Sequence, residues 1–311
     1  MTDIATAATE TRPLAYTEPG ACVHDYIELL KPRVMSLVVF SGLIGLVVAP
    51  GHIHPLLGFV TILCIALSAG GCGAVNMWYD RDIDAVMTRT RNRPLPQGRI
   101  EPGTALEFGG ALIFAAVVLM WLAVNALAAT LLAFAAAFYV FVYTMGLKRR
   151  TPQNIVIGGA AGAFPPIIAW AAVTGQVGVP SILLFFIIFF WTPPHFWALA
   201  LYRNEDYRRA GVPMMPVVKG ERRTKIEMLV YTLILFPLSL SPYFVGIGGP
   251  AYLIGAALLS GFFIFCAVAV LRDTTQRAAK RMFAYSIFYL TLLLTLLLAE
   301  HLAQPFLGML I

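Results

Sequence analysis

The sequence predicts an all-α integral membrane protein of nine transmembrane helices, and three observations carry that prediction. Of its 311 residues 59% are hydrophobic and only 12% charged, whereas a soluble domain carries about 25% charged residues. The apolar residues gather in nine long runs, each near the roughly 20 residues that one bilayer crossing takes. None of the runs alternates with period two, and a backbone in lipid has to satisfy its own hydrogen bonds, so the runs read as helices rather than strands. Nine crossings leave no room for a sizeable soluble domain. A nucleic-acid partner is excluded with it, and the formal charge of +6 becomes a matter of topology.

In chain order, residues 1–24 read as a disordered cytosolic tail. The opening MTDIATAATETRPLAYTEPG has neither the basic start and apolar core of a signal peptide nor the arginine richness of a presequence. Residues 25–311 read as one transmembrane domain. Its runs are 34–50, ending at the turn GHIH; 55–78, ending in an acidic cluster; 103–123 and 126–146, joined by a short VNA turn; and 154–174, which carries GGAAGAFPP. After the turn TGQVGVP come 179–201, with TPPHFW inside it, then 227–247, the turn GIGGP, 250–271 and 283–303. Small residues in GGCGA (Gly70 to Ala74) and in IGGAAGAF (Ile157 to Phe164) would let helices approach closely. Cys22, Cys64, Cys72 and Cys266 show neither a CxxC pair nor metal-like spacing with histidine and read as structural.

Basic residues orient the chain. All 22 lysines and arginines fall in the N-terminal region or in the loops after runs two, four, six and eight; the opposite face has none. By the positive-inside rule the N-terminus is cytosolic and the C-terminus external. Two long loops, about 80–102 and 202–226, therefore lie on the cytosolic side, and each opens with acids at a helix end.

Those acids carry the chemistry. Asn76, Asp80 and Asp84 recur every four residues, which on one α-helix makes a single oxygen-bearing stripe about 12 Å long. Carboxylate and carboxamide oxygens suit a hard cation, and Mg²⁺ in particular takes one or two carboxylates together with phosphate oxygens. Asp82 points to the opposite side. Acids aligned at the end of an apolar, glycine-rich span are costly and mark function. The arginines that follow, Arg93 among them, match phosphate oxygens in a bidentate fork. Together these residues describe a diphosphate site at the membrane surface, which Lys148 and Arg149 in the next cytosolic loop would extend.

The run N-x-x-x-D-x-x-x-D followed by R-x-x-R-P-L-P resembles the first aspartate-rich motif of the UbiA superfamily of intramembrane prenyltransferases. DRDIDAVMTRTRNRPLP, YTMGLKRRTPQNIVIGGAAGAFPP and TPPHFWALALYRNEDYRRAGVPMMPVVKG are similar to the branch of that family that farnesylates haem b to haem o. The resemblance spans roughly residues 25–300. It implies a nine-span bundle in which Mg²⁺ on two acidic motifs holds farnesyl diphosphate while haem b lies between the helices. It also implies a bacterial inner-membrane location and partners in haem a synthesis or oxidase assembly. On matching positions Asn76, Asp80 and Asp84 are the first metal motif. Where the family has D-x-x-x-D after span six, this chain reads Tyr202, Arg203, Asn204, Glu205, Asp206, so only Asp206 keeps its register. Glu205 or Tyr202 would then stand in for the missing acid, or Arg203 would take part of the diphosphate charge.

His195 lies about two helical turns before Tyr202, roughly 10 Å deeper along span six. It is either a packed bundle residue or a group on the haem substrate, as axial ligand or as acid/base at the reacting vinyl. Three other functions compete, and the intact stripe of Asn76, Asp80 and Asp84 argues against one of them, an assembly factor without activity. TPPHFW and LKRRTPQN argue against a hydroxybenzoate or chlorophyll prenyltransferase, and surface acids argue against a transporter, whose sites lie near the midplane. A reporter fused after Ile311 is expected to read as external and one inserted at Gly220 as cytosolic; the same side for both would overturn the nine-span count.

Overall fold

The structure, a computed structural model, describes residues 21–307, with side chains through 303. The tail expected over residues 1–24 lies outside the described residues except for 21–24. Every regular element among the described residues is helical. The chain runs α1 (Val23–Leu29), α2 (Pro32–Val47), α3 (Pro55–Tyr79), α4 (Arg81–Val86), α5 (Pro102–Ala123) and α6 (Ala126–Ala137), the last continuing as a π-helix over Phe138–Leu147. Then follow α7 (Asn154–Ala163), α8 (Pro165–Thr174), α9 (Val179–Tyr202), α10 (Asn204–Arg209), α11 (Met215–Lys219), α12 (Glu221–Phe244), α13 (Pro250–Arg272) and α14 (Arg277–Leu307). Eight spans are long and apolar enough to cross a bilayer, and nine when the α1–α2 pair is taken as one. The chain is a multi-pass membrane protein, and Phe114, Leu122, Leu258 and Phe265 stand on its outer surface, where lipid tails make them stable.

Departures from the expected spans have local causes. The first span bends by 56° between α1 and α2, because Lys31 is left-handed (φ 54°, ψ 55°) and Pro32 follows it. A non-glycine residue in that region costs on the order of 1 kcal/mol. α12 and α14 begin nearly two turns earlier than the apolar runs suggest, at Glu221 and Arg277, since long basic side chains extend from the first turns of a helix while their stems cover apolar surface. The fifth span breaks at Phe164, where Pro165 and Pro166 restart the helix as α8. α2 presses on that break at Gly45, whose added Cβ would lie 2.4 Å from the Pro166 carbonyl oxygen.

Small residues set the helix spacing where the sequence placed them. A Cβ on Gly71 of α3 would stand 2.6 Å from the Gly109 carbonyl oxygen of α5, and one on Gly159 would meet the Thr192 methyl at 2.8 Å. One core joins α9, α12, α13 and α14 to α2 and α8 around Trp170, Trp197, Phe263 and Tyr289, and a second joins α3, α5, α6 and α8. A third packs Ile83 of α4 and Met87 at its end against Tyr207, Val212 and Met214, beyond α9. This last cluster seats the two long loops together at the basic rim.

Because the α3–α5 contact is backbone on backbone, Gly71→Ala is expected to cost about 1–3 kcal/mol, read as a lower melting temperature in detergent. Gly110→Ala, with open space around it, is the control and should leave the melting temperature unchanged or raise it. Equal melting of the two variants would contradict the close approach.

Candidate diphosphate and metal site

At the basic rim, α3 ends at Tyr79 and Asp80 turns the chain (φ −92°, ψ 7°) into α4. The stripe expected on one unbroken helix is therefore divided at its middle residue. Arginines cause the break: Arg81 donates to the Trp78 carbonyl at 2.8 Å and Arg149 to the Tyr79 carbonyl at 2.8 Å, so the last carbonyls of α3 are satisfied without another helical turn. The four-residue spacing survives through Asp80 N–H to Asn76 C=O (3.0 Å) and Asp84 N–H to Asp80 C=O (2.8 Å). Asn76, Asp80 and Asp84 are 5%, 1% and 3% exposed, a depth at which a carboxylate needs partners.

Those partners are the cations the sequence pointed to, and one it did not. Lys148 pairs with Asp80 Oδ2, and Arg149 Nη2 stands 3.6 Å from Asp80 Oδ1. Arg93 donates to Asp84 Oδ2 at 2.7 Å. Asn76 donates to Asp80 Oδ2 at 2.8 Å and to Thr144 Oγ1 at 3.2 Å, and its own carbonyl oxygen accepts from Lys31 Nζ at 2.6 Å. Thr144 and Lys148 come from the π-helical segment and its C-cap; such segments are rare and concentrate at functional sites. Arg149 is shared with Asp82, which it grips at 2.7 and 2.8 Å. That bond holds the Asp82 carboxyl below its usual range. Lys31 was missed because its only sequence signal, a Lys-Pro-Arg just ahead of the first apolar run, is also what topology requires.

The second acidic segment resolves differently for each residue. Asp206, 6% exposed, accepts from Thr88 Oγ1 at 3.0 Å and pairs with Arg209, with Arg203 at 3.9 Å. Burial pushes its pKa up, but Arg209, Thr88 and Arg203 more than offset that and hold it below the ordinary carboxylate value. Glu205 points to solvent and pairs with Arg208 at 3.1 Å, so the structure does not bring it to the site as a substitute acid. Tyr202 sits under the cations of Arg203 and Lys280, each 5.8 Å from its ring. Thr88, a loop threonine without sequence signal, ties the first acidic loop to Asp206.

Among the described residues no three His, Cys, Asp or Glu side chains converge as a protein-only metal cage. Mg²⁺ does not need one, since it takes one or two carboxylates plus waters and phosphate oxygens. Asp80 Oδ1 is buried without a hydrogen-bond partner, next to the carboxamide of Asn76 and one turn from Asp84. These oxygens fit such an ion.

His195 lies deeper on α9, 9% exposed. Its ring stacks between Trp191 (4.3 Å) and Phe283 (4.8 Å), and its Nδ1 is 2.6 Å from Ser286 Oγ of α14. Ser286 was invisible in a sequence where the ninth run reads as plain apolar helix.

The fold and the rim define a multi-span helical membrane protein in which buried acids are matched by basic side chains. The chain belongs to the UbiA prenyltransferase family, whose profile it matches over residues 38–294. It is 56% identical over 307 residues to a protein of Acidiphilium cryptum named protoheme IX farnesyltransferase, covering 96% of this chain and 97% of that one. It is 57% identical over 291 residues to the Agrobacterium fabrum protein of the same name, covering 92% and 91%. Among solved structures, a digeranylgeranylglyceryl phosphate synthase superposes with a TM-score of 0.75 at 20% identity, over 90% of this chain and 98% of that one. An Archaeoglobus fulgidus UbiA homologue bound to GPP and Mg²⁺ gives 0.58 at 16%, over 88% and 99%. The likeness to these two structures is one of fold.

Removing one partner of a buried ion pair leaves the other charge uncompensated, at a cost of about 3 kcal/mol or more. Lys148→Met is therefore expected to lower the melting temperature well below wild type, while Lys219→Met, at an exposed site, leaves it unchanged. Equal melting of both would show that Lys148 does not stabilise Asp80.

Proposed function

We propose that this protein transfers the farnesyl group of farnesyl diphosphate to a vinyl group of haem b, giving haem o, in the inner membrane of a bacterium. The observation that carries the reading is the rim cluster, in which Asp80 and Asp84 are each held by a basic side chain, Lys148 and Arg93. Full-length similarity to proteins named protoheme IX farnesyltransferase supports this acceptor over a phenolic one.

In this reading Asn76, Asp80 and Asp84, together with Asp206 of the second loop, are the residues that would hold Mg²⁺. When bound, Mg²⁺ supplies charge neutralisation at the departing diphosphate. Arg93, Lys148 and Arg149 then turn from the carboxylates to the diphosphate oxygens, and Arg203, already at the loose end of the Asp206 pair, takes part of the same charge. Stabilising the leaving group is the main catalytic term. The C1–O bond of the farnesyl chain breaks and the diphosphate keeps the electron pair. The vinyl π electrons of haem b form the new carbon–carbon bond. Water adds to the porphyrin-side cation and loses a proton, giving the hydroxyethylfarnesyl group. Trp191, Phe196 and Phe283 around His195 keep water away until that bond is made.

Purified protein supplied with haem b, farnesyl diphosphate and Mg²⁺ is expected to yield a haem heavier by one farnesyl and one hydroxyl group, read by mass spectrometry. Unchanged haem beside prenylated 4-hydroxybenzoate in a parallel reaction would overturn the acceptor assignment. Asp84→Asn, nearly isosteric, is expected to lower turnover by about 100-fold or more with membrane insertion intact, and Asp80→Asn to do the same in its folded fraction. Full turnover in both variants would remove the stripe from the mechanism.

A further inference from the structure

His195 is held in one orientation by three contacts from two helices. Trp191, one turn earlier on α9, stacks on one face of the ring at 4.3 Å and 16°, and Phe283 of α14 stacks on the other at 4.8 Å and 22°. Trp191 is itself fixed, its indole N–H donating to the Ser286 carbonyl at 2.8 Å. In the ring plane, Nδ1 meets Ser286 Oγ at 2.6 Å. The imidazole can neither flip nor tilt without breaking a stack or a hydrogen bond.

A serine hydroxyl has one hydrogen to donate, and Ser286 Oγ lies 2.6 Å from the Phe283 carbonyl as well as from the imidazole. With that hydrogen on the carbonyl, Ser286 Oγ accepts from the ring and Nδ1 carries the proton. A neutral imidazole protonated at Nδ1 has a bare lone pair at Nε2. Nε2 has no hydrogen-bond partner among the described residues, nor is it one of the enclosed polar atoms, so the residual exposure of His195 includes it. A locked ring with one nitrogen bonded to a helper and the other open is how proteins prepare histidine as a metal ligand.

We infer that Ser286 fixes His195 as the Nδ1–H tautomer and so presents Nε2 as an axial ligand to the iron of the haem substrate. The inference rests on the proposed acceptor being haem. It makes Ser286 a positioning residue and gives His195 the role of a lone-pair donor in place of a proton donor. The dative bond from Nε2 to iron would anchor the porphyrin about two helical turns below the rim, at a fixed distance from the diphosphate site.

The test titrates haem b into the purified wild-type protein and into His195→Ala, Ser286→Ala and Ser286→Thr, reading haem affinity and the iron–imidazole resonance Raman band. Farnesyl diphosphate binding and turnover are measured on the same preparations. The wild type is expected to show the band and His195→Ala to lose it. Ser286→Ala should bind haem on the order of 10-fold more weakly with farnesyl diphosphate binding unchanged, and Ser286→Thr, which keeps the hydroxyl, should restore wild-type haem binding. Wild-type affinity and spectrum in Ser286→Ala, or an unchanged band in His195→Ala, would overturn the inference. So would parallel loss of haem and farnesyl diphosphate binding with a lowered melting temperature, which marks plain packing. Absence of haem o formation by the wild type would instead sink the function proposed above, so the two failures are told apart.

Discussion

Negative charge buried at a membrane rim is the constraint on which the rest of the structure depends. Asp80 and Asp84 are almost without exposure, and a carboxylate at such depth is tolerated only when cations and hydrogen bonds surround it. Much of the irregular geometry near the rim serves that requirement. Lys148 and Thr144 are set by a π-helical segment, α3 stops where arginines claim its final carbonyls, and Lys31 takes a left-handed turn whose side chain ends on Asn76. Each irregularity costs conformational energy, and each brings a cation or hydroxyl to the acids. In the proposed reaction, these cations are the ones that would pass from the carboxylates to the diphosphate.

The second organising element is α9. It carries His195 in its membrane-embedded part and ends at Tyr202, where the chain turns at Arg203 (φ −114°, ψ 18°) into α10, the short helix that holds Asp206. The group proposed to hold the acceptor and the acid of the second loop therefore lie on consecutive helices. Pro193 and Pro194 lie within α9 without ending it. They remove the backbone donors that would reach the Phe189 and Phe190 carbonyls, while Thr192 adds its hydroxyl to the Ile188 carbonyl at 2.8 Å. The packing of Ile83 and Met87 on Tyr207 and Met214 closes the rim by seating both acidic loops on one another.

The sequence carried the architecture because lipid makes hydropathy a strict signal. The nine apolar runs return as the spans, and close-packing glycines such as Gly71 and Gly159 sit where GGCGA and IGGAAGAF placed them. That Asn76, Asp80 and Asp84 gather at one buried place was legible because a four-residue repeat of oxygen-bearing side chains is rare in an apolar helix. The break at Asp80 was not, because it depends on Arg149, 69 residues further on, taking a carbonyl that a helical reading assigns to Ile83. The role of Lys31 was hidden behind topology, which accounts for any basic residue near a span. Ser286 and Thr88 were hidden for another reason: a hydroxyl acquires meaning only from the partner that folding brings to it. The same holds for Glu205, which could stand in for a missing acid on paper and turns to Arg208 in the fold.

In the proposed reaction the rim acids trade their protein cations for a metal-bound diphosphate. Calorimetric binding of an unreactive farnesyl thiodiphosphate to the wild type and to Asp84→Asn, each in Mg²⁺ and in EDTA, tests that exchange. Mg²⁺ is expected to tighten binding to the wild type by about tenfold or more, roughly 1.4 kcal/mol, and Asp84→Asn to lose most of that gain. Equal affinity with and without Mg²⁺ in the wild type would contradict the exchange.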